Sequence, residues 1–188
     1  MTTGTFVLDG YGLWPLLAFS NQALLVGPPS DPARVRGLPA TEAMRRIASS
    51  GSGFLAAKLD IRINYLDELL LAGAGVSKGN WYVESAAVGT SLLKQAAVGR
   101  AYTIWGDETS SLRAVSGRLT PLVVADPVLQ RAMVAIVVNP RKVAGVNSEG
   151  AHELQAHLTD PATQAEVLAF REPGFATPTF WPAAASSA

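Results

Sequence analysis

Asn21-Gln-Ala-Leu-Leu-Val-Gly27, followed at once by Pro28-Pro29, is the stretch that decides the fold. Its apolar run predicts a buried strand, and the prolines, which have no amide to give to a ladder, end it. Residues 30–39 read as a turn-rich crossover. Thr41 then reads as a helix N-cap, with Ala43, Met44, Ile47 and Ala48 as the apolar stripe of a helix ending near Gly51. Residues 53–57 form a short strand of the kind that follows such a helix.

The same alternation continues outward. A helix is predicted over 64–74, with Leu66, Leu69 and Leu70 inward and a Gly-Ala-Gly exit. A strand over 81–85 leads to a helix over 90–98, bounded by Gly89 and Gly99, and then to a strand over 101–105. Residues 119–124 and 133–138 are apolar, β-branched strands, with Pro140 closing the second. Helices over 152–159 and 161–170 follow, the latter opened by Asp160 as cap and Pro161 at its first position. Strands and helices alternating at these lengths predict α/β layers.

Composition narrows the function. With 188 residues, 48% hydrophobic and 16% charged, the chain is long enough for one domain or two small lobes and apolar enough for a large core. Fifteen basic residues balance fifteen acidic ones, so nothing draws the chain to nucleic acid or to an anionic membrane. It has no cysteine, which excludes disulfides and thiolate metal sites. His152 and His157 are spaced five apart, which does not stack them on one helix face, and no metal or other cofactor is expected. The opening residues have neither a basic region nor an unbroken apolar one, and the apolar stretch 13–19 contains Pro15 and is too short for a bilayer. A cytoplasmic location is therefore expected, or a periplasmic one if a leader has been removed.

Generic motifs are few. Gly10-Tyr-Gly12 has no third glycine in register and follows no strand, so it is not a dinucleotide fingerprint. Ser85, Thr90, Ser110 and Ser111 have no histidine placed to act as a base. Trp14, Trp81, Trp105 and Trp181, with Tyr11, Tyr82 and Tyr102, suit a core more readily than a cleft. The densest polar segment is Lys58, Asp60, Arg62, Asn64, Asp67 and Glu68, at a strand-to-helix junction where ligand sites gather. A simpler role is open for each. Asn64 would cap the helix, Asp67 and Glu68 would favour its positive end, and Asp60 with Arg62, two apart in an extended run, would form an ion pair.

Several segments taken together resemble the periplasmic tungstate-binding proteins of ABC transporters. Phe6-Val-Leu-Asp-Gly-Tyr-Gly12, 21–27 and Asp31-Pro-Ala33 are similar to F-V-x-x-G-Y-G, N-D-F-V-I-V-G-P and x-D-P-A. The likeness continues through Glu42-Ala-Met-Arg-Arg-Ile47, Phe54, Trp81-Tyr-Val-Glu84 and Gly99-Arg-Ala-Tyr-Thr103. It ends with Val137-Val-Asn-Pro140, Leu158-Thr-Asp-Pro161 and Phe180-Trp-Pro182. The resemblance implies α/β layers of the type II periplasmic-binding-protein kind, with part of the first lobe missing. It places residues 1–27 with 125–188 in one lobe and 28–124 in the other.

The resemblance also marks departures. Where the family shows S-R-G-D-D-S-G-T, this chain has Ala56-Ala-Lys-Leu-Asp-Ile-Arg-Ile63, with only Asp60 in register. A family asparagine–tyrosine pair falls on Arg131 and Met133. Candidate ligand-binding residues are therefore Lys58, Asp60, Arg62, Asn64 and Arg131. Because the anion loop is replaced, the leading expectation is a non-transport binding module for a small molecule or small anion other than tungstate, or an assembly subunit. The second is an enzyme or accessory subunit using Asp60, Arg62, Lys58 and Tyr65 on a small carboxylate or aromatic acid. The third is the tungstate- or molybdate-binding component of a transporter. An incomplete first lobe further predicts a homo-oligomer, most simply a dimer, or a completing protein subunit.

Overall fold

Strand β1 (Leu16–Gly27) carries the stretch read first, and it extends upstream as far as Leu16. The computed structural model describes residues 3–106, 115–124, 126–171, 178 and 180–182, without the side chains of 61 and 62. Two compact units divide the chain: Gln22–Gln130, and Met1–Asn21 with Arg131–Ala188. No helix among the described residues is long and apolar enough to cross a membrane.

In the unit Gln22–Gln130, Ala23, Leu24, Leu25 and Val26 are all buried, so β1 is covered on both faces and shows a continuous apolar run instead of an alternation. It pairs antiparallel with β4 (Thr103–Gly106), Leu25 opposite Ile104, and on its other edge with β5 (Thr120–Val123), Leu25 opposite Val123. β2 (Phe54–Ala57) and β3 (Tyr82–Ser85) run parallel in register from Phe54 opposite Tyr82 to Ala57 opposite Ser85. A parallel bridge joins Phe54 to Tyr102: the Leu55 amide donates to the Tyr102 carbonyl at 2.8 Å, and the Tyr102 amide to the Gly53 carbonyl at 2.8 Å. α3 (Ile61–Ala74) and α4 (Thr90–Gly99) are the crossovers that parallel strands require, and α2 (Ala40–Ser50) packs on α3. Met44, Ile47, Leu66, Leu70, Leu92 and Leu93 bring these helices into one core. This is the α/β layering expected.

The expected cap of α2 is corrected. Thr41 lies inside the helix, Pro39 holds the cap position without a side-chain bond, and the Ala40 amide donates to Asp126 Oδ2 at 2.8 Å. Asp126 Oδ1 also accepts the Val128 amide at 2.9 Å, opening the 3-10 turn Pro127–Leu129. Two element starts thus share one carboxylate supplied from far along the chain. The helix does end at Gly51, which takes the left-handed conformation at φ 66.

Tyr102 fixes the crossover. Its hydroxyl donates to Asp31 Oδ1 at 2.8 Å and accepts the Ala33 amide at 2.9 Å. Its ring lies against Gly27, where a Cβ would meet it at 2.5 Å, so only glycine fits there. Asp31 also accepts the amides of Val35 at 3.0 Å and Arg36 at 2.9 Å. Burial opposes its charge, but these amides, the Tyr102 hydroxyl and the Arg36 guanidinium outweigh burial and hold the carboxyl below its usual range.

The unit formed by Met1–Asn21 with Arg131–Ala188 contains α1 (Thr3–Leu8), β6 (Gln130–Ala135), α5 (Ser148–Thr159), α6 (Pro161–Ala169) and β7 (Phe180–Pro182). β7 pairs antiparallel with the start of β1, Phe19 opposite Pro182 and Asn21 opposite Phe180, and β6 is a further partner of β1. Asn147 caps α5 through the Gly150 amide, and Asp160 caps α6 through the Ala162 amide at 2.8 Å, with Pro161 first as expected. Gln164 is buried and its Nε2 donates to the carbonyls of Ala18 at 2.7 Å and Leu158 at 2.6 Å. β6 ends at Ala135 and not at Val138, which instead bridges Gly12.

Tyr102→Phe removes the hydroxyl and leaves the buried Ala33 amide without its acceptor. We expect a loss of about 1–3 kcal/mol in urea unfolding. An unchanged midpoint would contradict the role given to this hydroxyl.

Candidate functional site

β2 and β3 end side by side, Ala57 opposite Ser85, and the Lys58 amide continues the pairing by donating to the Ser85 carbonyl at 3.0 Å. α3 begins just beyond one strand and α4 just beyond the other. The carboxyl ends of parallel strands and the amino ends of the next helices therefore meet at one lip, where backbone amides and helix dipoles favour an anion.

Three of the expected residues are on this lip. Lys58 is exposed and its ammonium lies 3.3 Å from Glu84 Oε2. Glu84 also accepts Lys78 at 3.1 Å, and Lys78 reaches Glu68 at 2.8 Å. The bonds from Lys78 and then Lys58 hold the Glu84 carboxyl below its usual range, and the bonds to Glu68 and Glu84 hold Lys78 above its own. The Lys58 charge is thus already matched by a carboxylate. Asp60 is buried, and its carbonyl accepts the amides of Ile63 at 3.0 Å and Asn64 at 2.8 Å. That last bond is the first of the helix, so Asp60 and not Asn64 stands at the cap position. Asn64 lies in the first turn, its Nδ2 at 3.5 Å from the Lys58 carbonyl.

The expected helix start at 64 is therefore corrected to Ile61. Ile-Arg-Ile at 61–63 looks extended by its β-branched side chains, yet tertiary packing of Ile63 and Leu66 draws it into the helix. Asp60 and Arg62 consequently do not share the face of an extended run; the Arg62 side chain lies outside the described residues. The expected helix face is also corrected. Leu66 and Leu70 are buried, but Leu69 is 52% exposed, and Asp67 points inward instead of lying at the positive end of the helix. Arg131 belongs to the other unit, where its Nε donates to Asn21 Oδ1 at 3.1 Å.

The start of α4 lies where the sequence predicts it, but it is not among the candidate site residues read from the sequence. Gly89 occupies the cap position with φ 58, and no side chain caps the helix. The exposed Thr90 and Ser91 open it, and the loop before them is braced by Ser85, whose Oγ accepts the Ala87 amide at 3.0 Å and donates to Gln95 Oε1 at 2.8 Å. The signal is Gly89-Thr90-Ser91 a few residues beyond a strand. Ser110 and Ser111 lie outside the described residues. Of the aromatic residues, Tyr102 and Trp105 are core while Trp14 is 80% exposed. His152 Nδ1 lies 2.7 Å from the Ser148 carbonyl and His157 contacts Thr163; no group of three metal-ligating side chains occurs among the described residues.

These placements separate scaffold from surface. Asp60→Ala keeps the carbonyl bond that opens α3 and truncates only the buried side chain at the cap position, and is expected to cost about 1 kcal/mol. Lys58→Ala, which removes an exposed ion pair, should stay within about 0.5 kcal/mol. Urea unfolding of both variants checks this, and an Asp60→Ala midpoint equal to that of the parent would contradict a stabilising role for the Asp60 side chain at the cap position.

No family model matches the chain. It is 30% identical over 168 residues to a protein described as an ABC transporter anion-binding protein from Haloferax volcanii, a match covering 85% of this chain and 48% of that one. It is 29% identical over 185 residues to the tungstate-binding protein TupA of Peptoclostridium acidaminophilum, covering 96% of this chain and 64% of the other. The chain therefore spans between about half and two thirds of the length of these curated relatives. Among solved structures, the tungstate-binding protein TupA from Desulfovibrio alaskensis superposes with a TM-score of 0.84 at 24% identity, covering 96% of this chain and 74% of that one. The tungstate ABC transporter structure from Geobacter sulfurreducens gives 0.74 at 28% identity, covering 89% and 72%. The chain is thus similar in sequence to anion- and tungstate-binding proteins of ABC transporters, and its fold is of the type II periplasmic-binding-protein kind.

Proposed function

We propose that this chain is an anion-binding component of an ABC transporter, and that a small oxyanion docks on the first-turn amides of α3 and α4 at the lip beyond β2 and β3. The observation that carries this reading is the likeness, over 85% and 96% of the chain, to proteins described as anion-binding and tungstate-binding. It reverses the order of the expectations: the transporter reading now leads the non-transport module. The enzyme reading loses ground because Asp60 is buried at a helix cap and Lys58 is paired with Glu84.

A second reading concerns the ligand. Lys58 is neutralised by Glu84, and the segment that replaces the family's anion loop offers alanine, leucine and isoleucine where serine and threonine would donate. Recognition then falls on backbone amides, above all those after Gly89, which no side chain caps. Backbone donors alone favour a tetrahedral oxyanion over neutral solutes but select weakly among oxyanions.

Isothermal titration at pH 7 with tungstate, molybdate and sulfate tests both readings. We expect one-site binding of at least one of them with a dissociation constant above about 1 μM, that is, weaker than about 8 kcal/mol. Thr90→Pro deletes an amide at the first helical position, where proline is tolerated, and should weaken binding about tenfold. No heat with any of the three ions would overturn the anion reading. Sub-micromolar tungstate binding would overturn the weak, amide-only reading.

A further inference from the structure

α3 contains a carboxylic acid with no use in the lip. Asp67 is 1% exposed, on the face of α3 that also buries Ile63, Leu66, Leu70 and Leu71. Neither of its oxygens meets a donor at hydrogen-bonding geometry, and the Tyr82 hydroxyl of β3 is likewise buried and unmatched. A buried carboxylate without donors is costly, whereas the neutral acid is tolerated. Burial pushes this carboxyl up to about 8, Glu68 beside it adds to the rise, and Lys78 and the Ala57 amide of β2 oppose it. Burial and then Asp67 likewise raise Tyr82.

The groups around Asp67 can be set out element by element. α3 itself supplies Glu68, and the loop before β3 supplies Lys78, whose Nζ sits 4.9 Å from the Tyr82 ring centroid and is held by Glu68 and Glu84. β3 supplies Tyr82 and, further out, Glu84, which also binds Lys58. On α2, Arg45 pairs with Glu42 and donates to the Ala74 carbonyl at the far end of α3. β4 brings only Thr103, Ile104, Trp105 and Gly106, and the turn packed on α3 brings Asp126, already occupied by the Ala40 and Val128 amides. Among the described residues Lys78 is the cation that acts directly on Asp67, and it is engaged by two other carboxylates.

We propose that Asp67 is a proton switch for α3: the neutral acid lets the helix seat on β2 and β3 beside Tyr82, and loss of the proton loosens that seat and draws Lys78 away from Glu68 and Glu84. The helix so loosened is the one whose first turn forms the lip, so the lip is tied to pH whatever it binds. The inference stands independently of the anion reading.

The sign follows from linkage. An unfolded aspartate titrates near 3.9, so between about pH 4 and pH 8 the folded chain keeps a proton that the unfolded chain has lost. The contribution is whole below that window, is lost as pH rises through it, and is flat above it. Urea unfolding of the parent and of Asp67→Asn between pH 5 and pH 9 reads this directly. The ratio of the folding constants, variant over parent, should rise about tenfold per pH unit from pH 5 to 7.5 and level off above about 8.5. A ratio independent of pH overturns the proposal. Should the variant not fold, carboxyl carbon NMR of the parent decides: an Asp67 resonance titrating near 8 supports the switch, and one titrating near 4 overturns it.

Discussion

The second half of β1 is buried on both faces and paired on both edges, and the remaining architecture follows from satisfying it. Ala23 to Val26 expose nothing to water, so every backbone donor and acceptor along them must be met by protein. β4 pairs with all four on one edge, and β5 pairs from Leu25 to Gly27 on the other. Delivering β4 there requires the chain to return through β2, α3, β3 and α4, which is how the two parallel crossovers arise. The turn at 28–39 is then held to the returning chain by Tyr102, which joins Asp31 and Ala33 to the strand that pairs with β1.

The position of the lip is a by-product of that route. Parallel strands joined by helices put their carboxyl ends and the following helix starts on one edge, whatever side chains occupy it. Here side chains at the lip are engaged with each other, Lys58 with Glu84 and Ser85 with Gln95, and the Asp60 carbonyl opens its own helix. The amides after Gly89 have no such side-chain partner. Under the proposed reading, recognition at this lip falls to the backbone and not to the side chains.

Much of this order was legible because its signals are local. Asp160-Pro161 opens a helix by its own chemistry, the helix from Thr90 lies between two glycines, and the buried strand to Gly27 is bounded by prolines. The misread features depend on distant partners. Asp126 caps α2 from across the unit, so Thr41 looked like the cap in sequence. Ile63 and Leu66 pull the β-branched run into α3, which moves the helix start and rotates Asp67 inward and Leu69 outward. β7 was hidden because its three residues gain meaning only by pairing with Phe19 to Asn21. At the lip, the junction of strand and helix was legible as a candidate site from residues 58–64, whereas the start at Thr90 was legible only as a helix boundary, because a glycine offers no side chain to suggest a site.

Amide chemical-shift mapping shows directly whether backbone amides at the two helix starts hold an oxyanion, as proposed. A nitrogen–proton correlation spectrum recorded while tungstate or sulfate is added should move the amides of residues 58–63 and 87–92 most, in one saturating process. Shifts confined to Arg131–Ala188, or no shifts at all at millimolar anion, would contradict it.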